Sequence, residues 1–179
     1  MSHKEQAKYL TQLTKRGDHP SLRLTVSSEA VAFIRDTALA SPRAETGGIL
    51  IGHHKGRDIH VVKATDAGPG ATRSRCGFLR DTLYCQGVLN REFEKTGADY
   101  LGEWHTHVLD LPRPSEGDLR TLAAIMLDPD YQFPSFAMIL AIVLDKNVDL
   151  LSYVVTVDEY PENSARKLVR VDYVIPQLS

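Results

Sequence analysis

Gly102-Glu-Trp-His-Thr-His-Val108, followed by Ser115-Glu-Gly-Asp118, is the stretch around which this chain is organised. His105 and His107 stand two apart, and on a β-strand residues i and i+2 share a face. Two imidazoles on one face are what a first-row metal such as zinc takes from a protein. Asp118, eleven residues after His107, adds a candidate carboxylate oxygen. Three protein ligands with a fourth position left to water is the open pattern of a catalytic centre. Structural zinc is usually closed by four ligands, mostly Cys.

Each half of this pattern also has a plainer reading. With seven His in 179 residues, a single His-x-His arises by chance. Ser115-x-x-Asp118 is also a helix start, with Ser at the N-cap and an acid at N3 near the positive helix end. The combination says more than its parts. A strand ending in two His, the short Pro-rich loop Leu109-Asp-Leu-Pro-Arg-Pro114 and a capped helix would return Asp118 to the imidazoles.

Length and composition set the frame. A chain of 179 residues suits one compact domain, expected over 21–179 with residues 1–20 as an N-terminal arm. Apolar content of 42% and charged content of 25% are those of an ordinary globular protein. A net charge of −2 argues against bulk-electrostatic binding of nucleic acid. The longest apolar run, Phe136–Leu144, has nine residues, too few for a membrane span and right for a buried strand. Cys76 and Cys85 lack a metal-knuckle spacing and read as reduced thiols. The polar N-terminus has no signal-peptide core, so a cytoplasmic location is expected.

Taken in order, residues 1–20 carry Leu10 and Leu13 as their aliphatic anchors and read as an arm or short helix lying on the domain, ending at Gly17-Asp-His-Pro20. Leu22–Val26 alternates as a strand. Ser27 or Ser28 caps a helix with Ala30, Val31, Phe33, Ile34 and Ala38 on its inner face, stopping before Ser41-Pro42. Thr46–Gly52 and Asp58–Ala64 read as a hairpin closed at Lys55-Gly56-Arg57. His53 and His54 are adjacent and so point to opposite faces; with His60 they read as ordinary, partly exposed side chains. Residues 66–78 form a Gly/Pro/Arg-rich loop in which Arg73 and Arg75 are candidate contacts for an acidic or carbonyl-rich partner. A helix over Asp81–Lys95, with Leu83, Val88, Leu89 and Phe93 inward, ends at Gly97. After the Tyr100–Val108 strand, the Ser115 helix buries Leu119, Leu122, Ala123, Ile125 and Met126, and Asp128-Pro129 ends it. Phe136–Leu144 and Val148–Val157 form a second hairpin across Lys146-Asn147, and Leu168–Ile175 is a last strand. The fold class is α/β, with a mixed, mostly antiparallel sheet flanked by helices.

A metal held by His105, His107 and Asp118 acidifies its bound water and polarises a carbonyl, and needs a base to move the proton. Two carboxylates compete for that role. Glu103 lies on the same strand face as His105, about 6–7 Å away along the strand. Glu45 stands at the mouth of a Gly-Gly strand, where missing Cβ atoms admit a substrate or a neighbouring backbone. Spacing alone leaves both open. Trp104 points the other way, into the core.

Glu45-Thr-Gly-Gly48, Gly102-Glu-Trp-His-Thr-His107 and Ser115-Glu-Gly-Asp118 together resemble the motif of the JAMM (MPN+, Mov34/PAD-1) metalloprotease family. Its pattern is an upstream Glu, then His-x-His, about seven residues, Ser, two residues and Asp. The resemblance covers roughly residues 22–160. It implies a cytidine-deaminase-like JAB/MPN fold and one Zn2+ per chain bound by His105, His107 and Asp118. It also implies Glu45 as the base and Ser115 as a donor to the oxyanion. Glu-Trp before the first His, the Arg-rich Gly-Pro-Gly loop and the compact length look like the bacterial branch. That branch includes deconjugating peptidases of CBASS antiphage operons, encoded beside E1- and E2-like enzymes. The implied function is a zinc isopeptidase or peptidase. It would cut the amide after the C-terminus of a ubiquitin-like protein, by deconjugation or precursor processing. Its implied partners are that protein or its conjugates, and the E1/E2-like enzymes or effector of the same operon. The alternatives are a non-catalytic MPN-type scaffold and a processing peptidase for a sulfur-carrier protein. In one departure, Val108 stands where the family often has Pro, so the following loop is expected to start differently.

Overall fold

A computed structural model describes residues 9–14, 22–108, 111–160 and 163–179. The chain runs β1 (Tyr9–Thr14), β2 (Leu24–Val26), α1 (Ser28–Ala40), β3 (Gly47–Lys55), β4 (Asp58–Ala64), β5 (Thr72–Ser74), β6 (Gly77–Leu79) and α2 (Thr82–Thr96). It continues with β7 (Asp99–His107), α3 (Glu116–Leu127), β8 (Phe136–Leu144), β9 (Asn147–Tyr160), β10 (Asn163–Val174) and β11 (Gln177–Leu178). Nine strands form one mixed sheet in the order β1-β10-β9-β8-β7-β3-β4-β2-β11. Its long ladders, β10 with β9, β9 with β8, β7 with β3 and β3 with β4, are antiparallel, while β7 and β8 run parallel.

The apolar run of β8 explains the layering. A strand with no polar face must be covered on both sides. Ala137, Ile139 and Ala141 pack with Ile34 and Ala38 of α1, whereas Phe136, Met138, Leu140 and Ile142 pack with Leu122, Ala123 and Met126 of α3. Cys85 and Val88 of α2 join the α3 side, over Ile49 and Ile51 of β3. The helices therefore flank the sheet on both faces, with α1 alone on one. None of the helices among the described residues is long and apolar enough to cross a membrane.

Several local expectations are corrected. Tyr9–Thr14, read as arm or short helix, is a strand paired parallel with β10. Backbone pairing to a free sheet edge needs no hydrophobic alternation, so the pattern was silent there. Leu13 is exposed rather than an anchor. The side chain of Leu10, the segment Gly17-Asp-His-Pro20 and Leu109-Asp110 of the Pro-rich loop lie outside the described residues. Residues 66–78 are not structureless: Thr72–Ser74 and Gly77–Leu79 form a hairpin across Arg75-Cys76. Leu83 and Phe93 of α2, and Phe33 of α1, face outward. Helical spacing admits neighbouring stripes, and α2 buries the one through Cys85 and Val88. The β8–β9 turn is Asp145-Lys146, one residue earlier than read, with Asp145 left-handed at φ 49°.

The strands that carry the site pack backbone to backbone at glycines. A Cβ on Gly102 would overlap the carbonyl of Ala137 on β8. Gly102→Ala is expected to force β7 from β8 and to destabilise the chain by about 1–3 kcal/mol, the usual cost of overpacking. Urea unfolding at neutral pH measures this, with a lower midpoint at an unchanged slope as the expected result.

Candidate metal centre

β7 presents its two imidazoles as the alternation requires. Trp104, on the opposite face, is fully buried and donates its indole N–H to the Thr65 carbonyl at 2.8 Å. The Nε2 atoms of His105 and His107 lie 3.1 Å apart. Asp118 completes a triangle, its Oδ1 3.2 Å from His105 Nε2 and its Oδ2 3.3 Å from His107 Nε2. Donors bound at 2.0–2.1 Å around a tetrahedral ion stand about 3.3 Å apart, so this donor set fits such an ion. Among the described residues, these three form the one His/Cys/Asp/Glu group close enough to hold a metal.

Ser115-x-x-Asp118 is a helix start whose carboxylate also faces the two imidazoles. Ser115 is the N-cap of α3, its Oγ accepting from the Asp118 N–H at 3.1 Å, and Asp118 Oδ2 accepts from the Ser115 N–H at 2.6 Å. This capping box aims the carboxylate at β7. Ser115, with its Oγ in that box, lines the cleft beside the imidazoles. His107 is aligned from behind, its Nδ1–H donating to the Leu111 carbonyl at 2.8 Å, which directs the Nε2 lone pair inward. That support was not legible in the sequence, since a backbone carbonyl has no residue signature.

Glu45 arrives by β-register. Gly47 pairs with His105, and Thr46 and Thr106 exchange bonds: Thr46 N–H to Thr106 Oγ1 at 2.9 Å and Thr106 N–H to the Thr46 carbonyl at 2.8 Å. The next residue outward, Glu45, lines the same cleft as His105, His107, Ser115 and Asp118. Gly47 is needed there, because a Cβ would run into the Trp104 carbonyl and the Phe78 ring. Burial raises the Glu45 pKa; the imidazoles lower it and Asp118 raises it, and the net position is above the ordinary carboxylate value. Glu103, the rival base, is held otherwise: its Oε1 accepts from the Arg80 guanidinium and from the Tyr100 hydroxyl, the latter at 2.8 Å. Arg80 was not singled out in the sequence. Arg73 and Arg75 were, and both are exposed. Neither lines the cleft, and Arg73 donates to Thr46 Oγ1 at 3.2 Å and to the Gly68 carbonyl at 3.4 Å. His54 Nε2 meets the Ser135 carbonyl at 2.9 Å, away from the centre, while Cys76 and Cys85 are free thiols.

Burial raises the Asp118 pKa, but hydrogen bonds from His105, His107 and Ser115 outweigh it and hold the carboxyl well below the usual range. Burial also opposes charge on His107, yet Asp118, the Leu111 carbonyl and Glu45 together lift its pKa above the ordinary value. A metal must displace that proton. The sign follows: in the metal-free chain the protonated His107 adds stability at low pH, lost as pH rises through its raised pKa. Metal affinity runs the opposite way. It is expected to fall by about tenfold per pH unit below the His107 pKa and to level off above it, as displacement of one proton requires. Calorimetric titration of metal into the chelator-treated protein, at several pH values, checks the slope.

The model of the Prok-JAB family, prokaryotic homologs of the JAB domain, matches residues 27–167. The chain belongs to that family. This JAB chain is 40% identical over 76 residues to a CD-NTase/cGAS isopeptidase of Vibrio cholerae serotype O1, covering 41% of this chain and 49% of that one. It is 32% identical over 111 residues to a CD-NTase/cGAS isopeptidase of Enterobacter hormaechei, covering 61% of each. Over 100 residues it is 34% identical to the probable metalloprotease y4qB of Sinorhizobium fredii, covering 54% of this chain and 61% of that one. The chain thus spans 49–61% of the length of these relatives. Its JAB fold is similar to the solution structure of a protein from Desulfitobacterium hafniense, with a TM-score of 0.61, 20% identity, and coverage of 87% of this chain and 92% of that one. A protein from Salinibacter ruber, at a TM-score of 0.51 and 18% identity, matches the same shares.

Proposed function

We propose that this JAB chain is a zinc-dependent isopeptidase or peptidase that hydrolyses the amide after the C-terminus of a ubiquitin-like protein. Its setting would be a ubiquitination-like antiphage operon, with the conjugate or precursor of that protein as substrate. The observation that carries the reading is the convergence of Glu45 and Ser115 on the His105–His107–Asp118 triangle in one cleft. The isopeptidase and metalloprotease names of the relatives agree with it. A scaffold that used the metal only structurally would need neither a base with an upward-shifted pKa nor an open coordination position.

His105, His107 and Asp118 would hold the ion, and when bound it supplies Lewis acidity, acidifying water and polarising a carbonyl. The chain's own groups do the rest. Glu45 takes the proton of the attacking water and returns it to the leaving amine, a task suited to a carboxylate whose pKa lies above the ordinary value. The Ser115 O–H donates to the oxygen on which negative charge develops, a contribution of about 2.7–4 kcal/mol where such donors have been removed. The cleft, of about 690 Å³, is walled by Gly77, Phe78 and Leu79 on one side and by α3 on the other. That shape suits an extended tail rather than a folded surface. Arg75, exposed at the hairpin turn, would then meet the body of the substrate protein.

The test is cleavage of a panel of ubiquitin-like proteins, each carrying an aminocoumarin amide on its C-terminus. Release that is abolished by chelation and restored by zinc supports the reading. A zinc-loaded protein that cleaves no member of the panel overturns it.

A further inference from the structure

The β5–β6 hairpin forms one wall of the cleft, yet it buries little of itself. Residues 72–76 are exposed and Leu79 is 74% exposed. With so little apolar surface removed from water, packing alone gives it low local stability. Its tethers are polar and few. The Glu45 N–H donates to the Ser74 carbonyl at 2.7 Å, and Arg73 bonds Thr46 and Gly68. Phe78 rests where a Gly47 Cβ would be. At the base, Asp81 caps α2 and accepts from the Gly70 N–H at 3.1 Å. All of these tie the hairpin to Glu45–Gly47 or to the adjoining loop. Of the polar tethers, Arg80 is the one that reaches the strand carrying His105 and His107. Its guanidinium grips Glu103, two residues before His105, and Tyr100 holds the same carboxylate oxygen. The side chains of Arg80 and Glu103 are 29% and 18% exposed, so water weakens this pair less than it would a surface one.

We infer that Arg80 is a positioning residue: by gripping Glu103 of β7 it holds the β5–β6 hairpin, and through Ser74 the Glu45 backbone, over the His105–His107–Asp118 centre. The inference rests on the reading above for its link to turnover, but the tether itself is open to measurement without any activity. The Arg80 guanidinium bonds Glu103 and not one of the three ligand residues, so its loss acts on the position of Glu45 and of the cleft wall. It also gives the second carboxylate of β7 a role: Glu103 is the anchor for the hairpin.

The experiment follows amide hydrogen exchange of the zinc-free full chain in wild type, Arg80→Met, Arg80→Lys and the double variant Arg80→Met/Glu103→Gln. The double variant removes the carboxylate left unpaired by Arg80→Met, which separates loss of the tether from a stranded charge. Exchange at Glu45 and at Gly77–Leu79 is expected to rise about tenfold or more in both Met variants, with β8 amides unchanged. Arg80→Lys should restore most of the protection. In the zinc-loaded chain, kcat on the aminocoumarin amide should fall about 10- to 100-fold at unchanged zinc content and with KM little altered, as a misplaced base predicts. Unchanged exchange in the hairpin, or exchange that rises equally in β8, overturns the assignment. If wild type cleaves no substrate, the peptidase reading fails, while the exchange pattern still decides the tether.

Discussion

Glu45→Ala is expected to abolish amide hydrolysis while leaving the metal in place. Glu45 is not one of the three residues whose donor atoms converge, so its removal takes away no ligand. What it takes away is the proton carrier, worth about 10²–10⁴ in rate. Elemental analysis of wild type and variant should show about one zinc per chain in both, the content of a three-ligand catalytic site. Chelator-sensitive release should then appear in wild type alone. Glu103→Gln is the necessary companion. Glu103 is occupied by Arg80 and Tyr100, and a glutamine can still accept from both, so its loss of rate should be far smaller. If Glu45→Ala retained full rate and Glu103→Gln lost it, the roles of the two carboxylates would be reversed.

Asp118→Asn is the substitution with the widest expected consequences, because one side chain serves two structures. Its carboxylate faces both imidazoles and also closes the capping box of α3. The amide keeps the shape and loses the charge, so metal content should drop from about one per chain to a small fraction. Weakening of the cap should cost about 1 kcal/mol in the metal-free state. The acid limb of stability gives a sharper signature. The folded pKa of Asp118 lies well below its unfolded value, so its stabilisation is present above the unfolded pKa and is lost as pH falls towards the folded one. Metal-free wild type should therefore lose stability between about pH 5 and pH 3, and Asp118→Asn should be flatter over that range. Urea unfolding of both chains across the interval measures the difference. Equal acid limbs would mean that Asp118 has no such stabilising contacts in solution.

Much of this was legible from local chemistry. His-x-His on an extended segment puts two imidazoles on one face whatever the rest of the chain does, and Ser-x-x-Asp caps a helix by itself. The nine-residue apolar run had to be a strand covered on both sides, and it is β8 at the middle of the sheet. Less was legible where neighbours decide. Leu83 and Phe93 had the right spacing for an inner face, but α2 meets β3 through Cys85 and Val88. Nothing in Tyr9–Thr14 announced a strand, because its partner β10 lies more than 150 residues further along the chain.

The same division runs through the candidate site. The sequence by itself determined the candidate donors, their strand and helix, and the glycines that let backbones approach. These follow from the period of a strand, the geometry of a cap and the absence of a Cβ, all of which act over a few residues. Between Glu45 and Glu103 it could not choose, since both are carboxylates at plausible places. Tertiary structure sets them apart by putting Arg80 and Tyr100 on Glu103 and by carrying Glu45 into the cleft through the β3–β7 register. Which charges pair, and which is left free for chemistry, depends on distances between segments far apart in the chain, and only folding sets those distances.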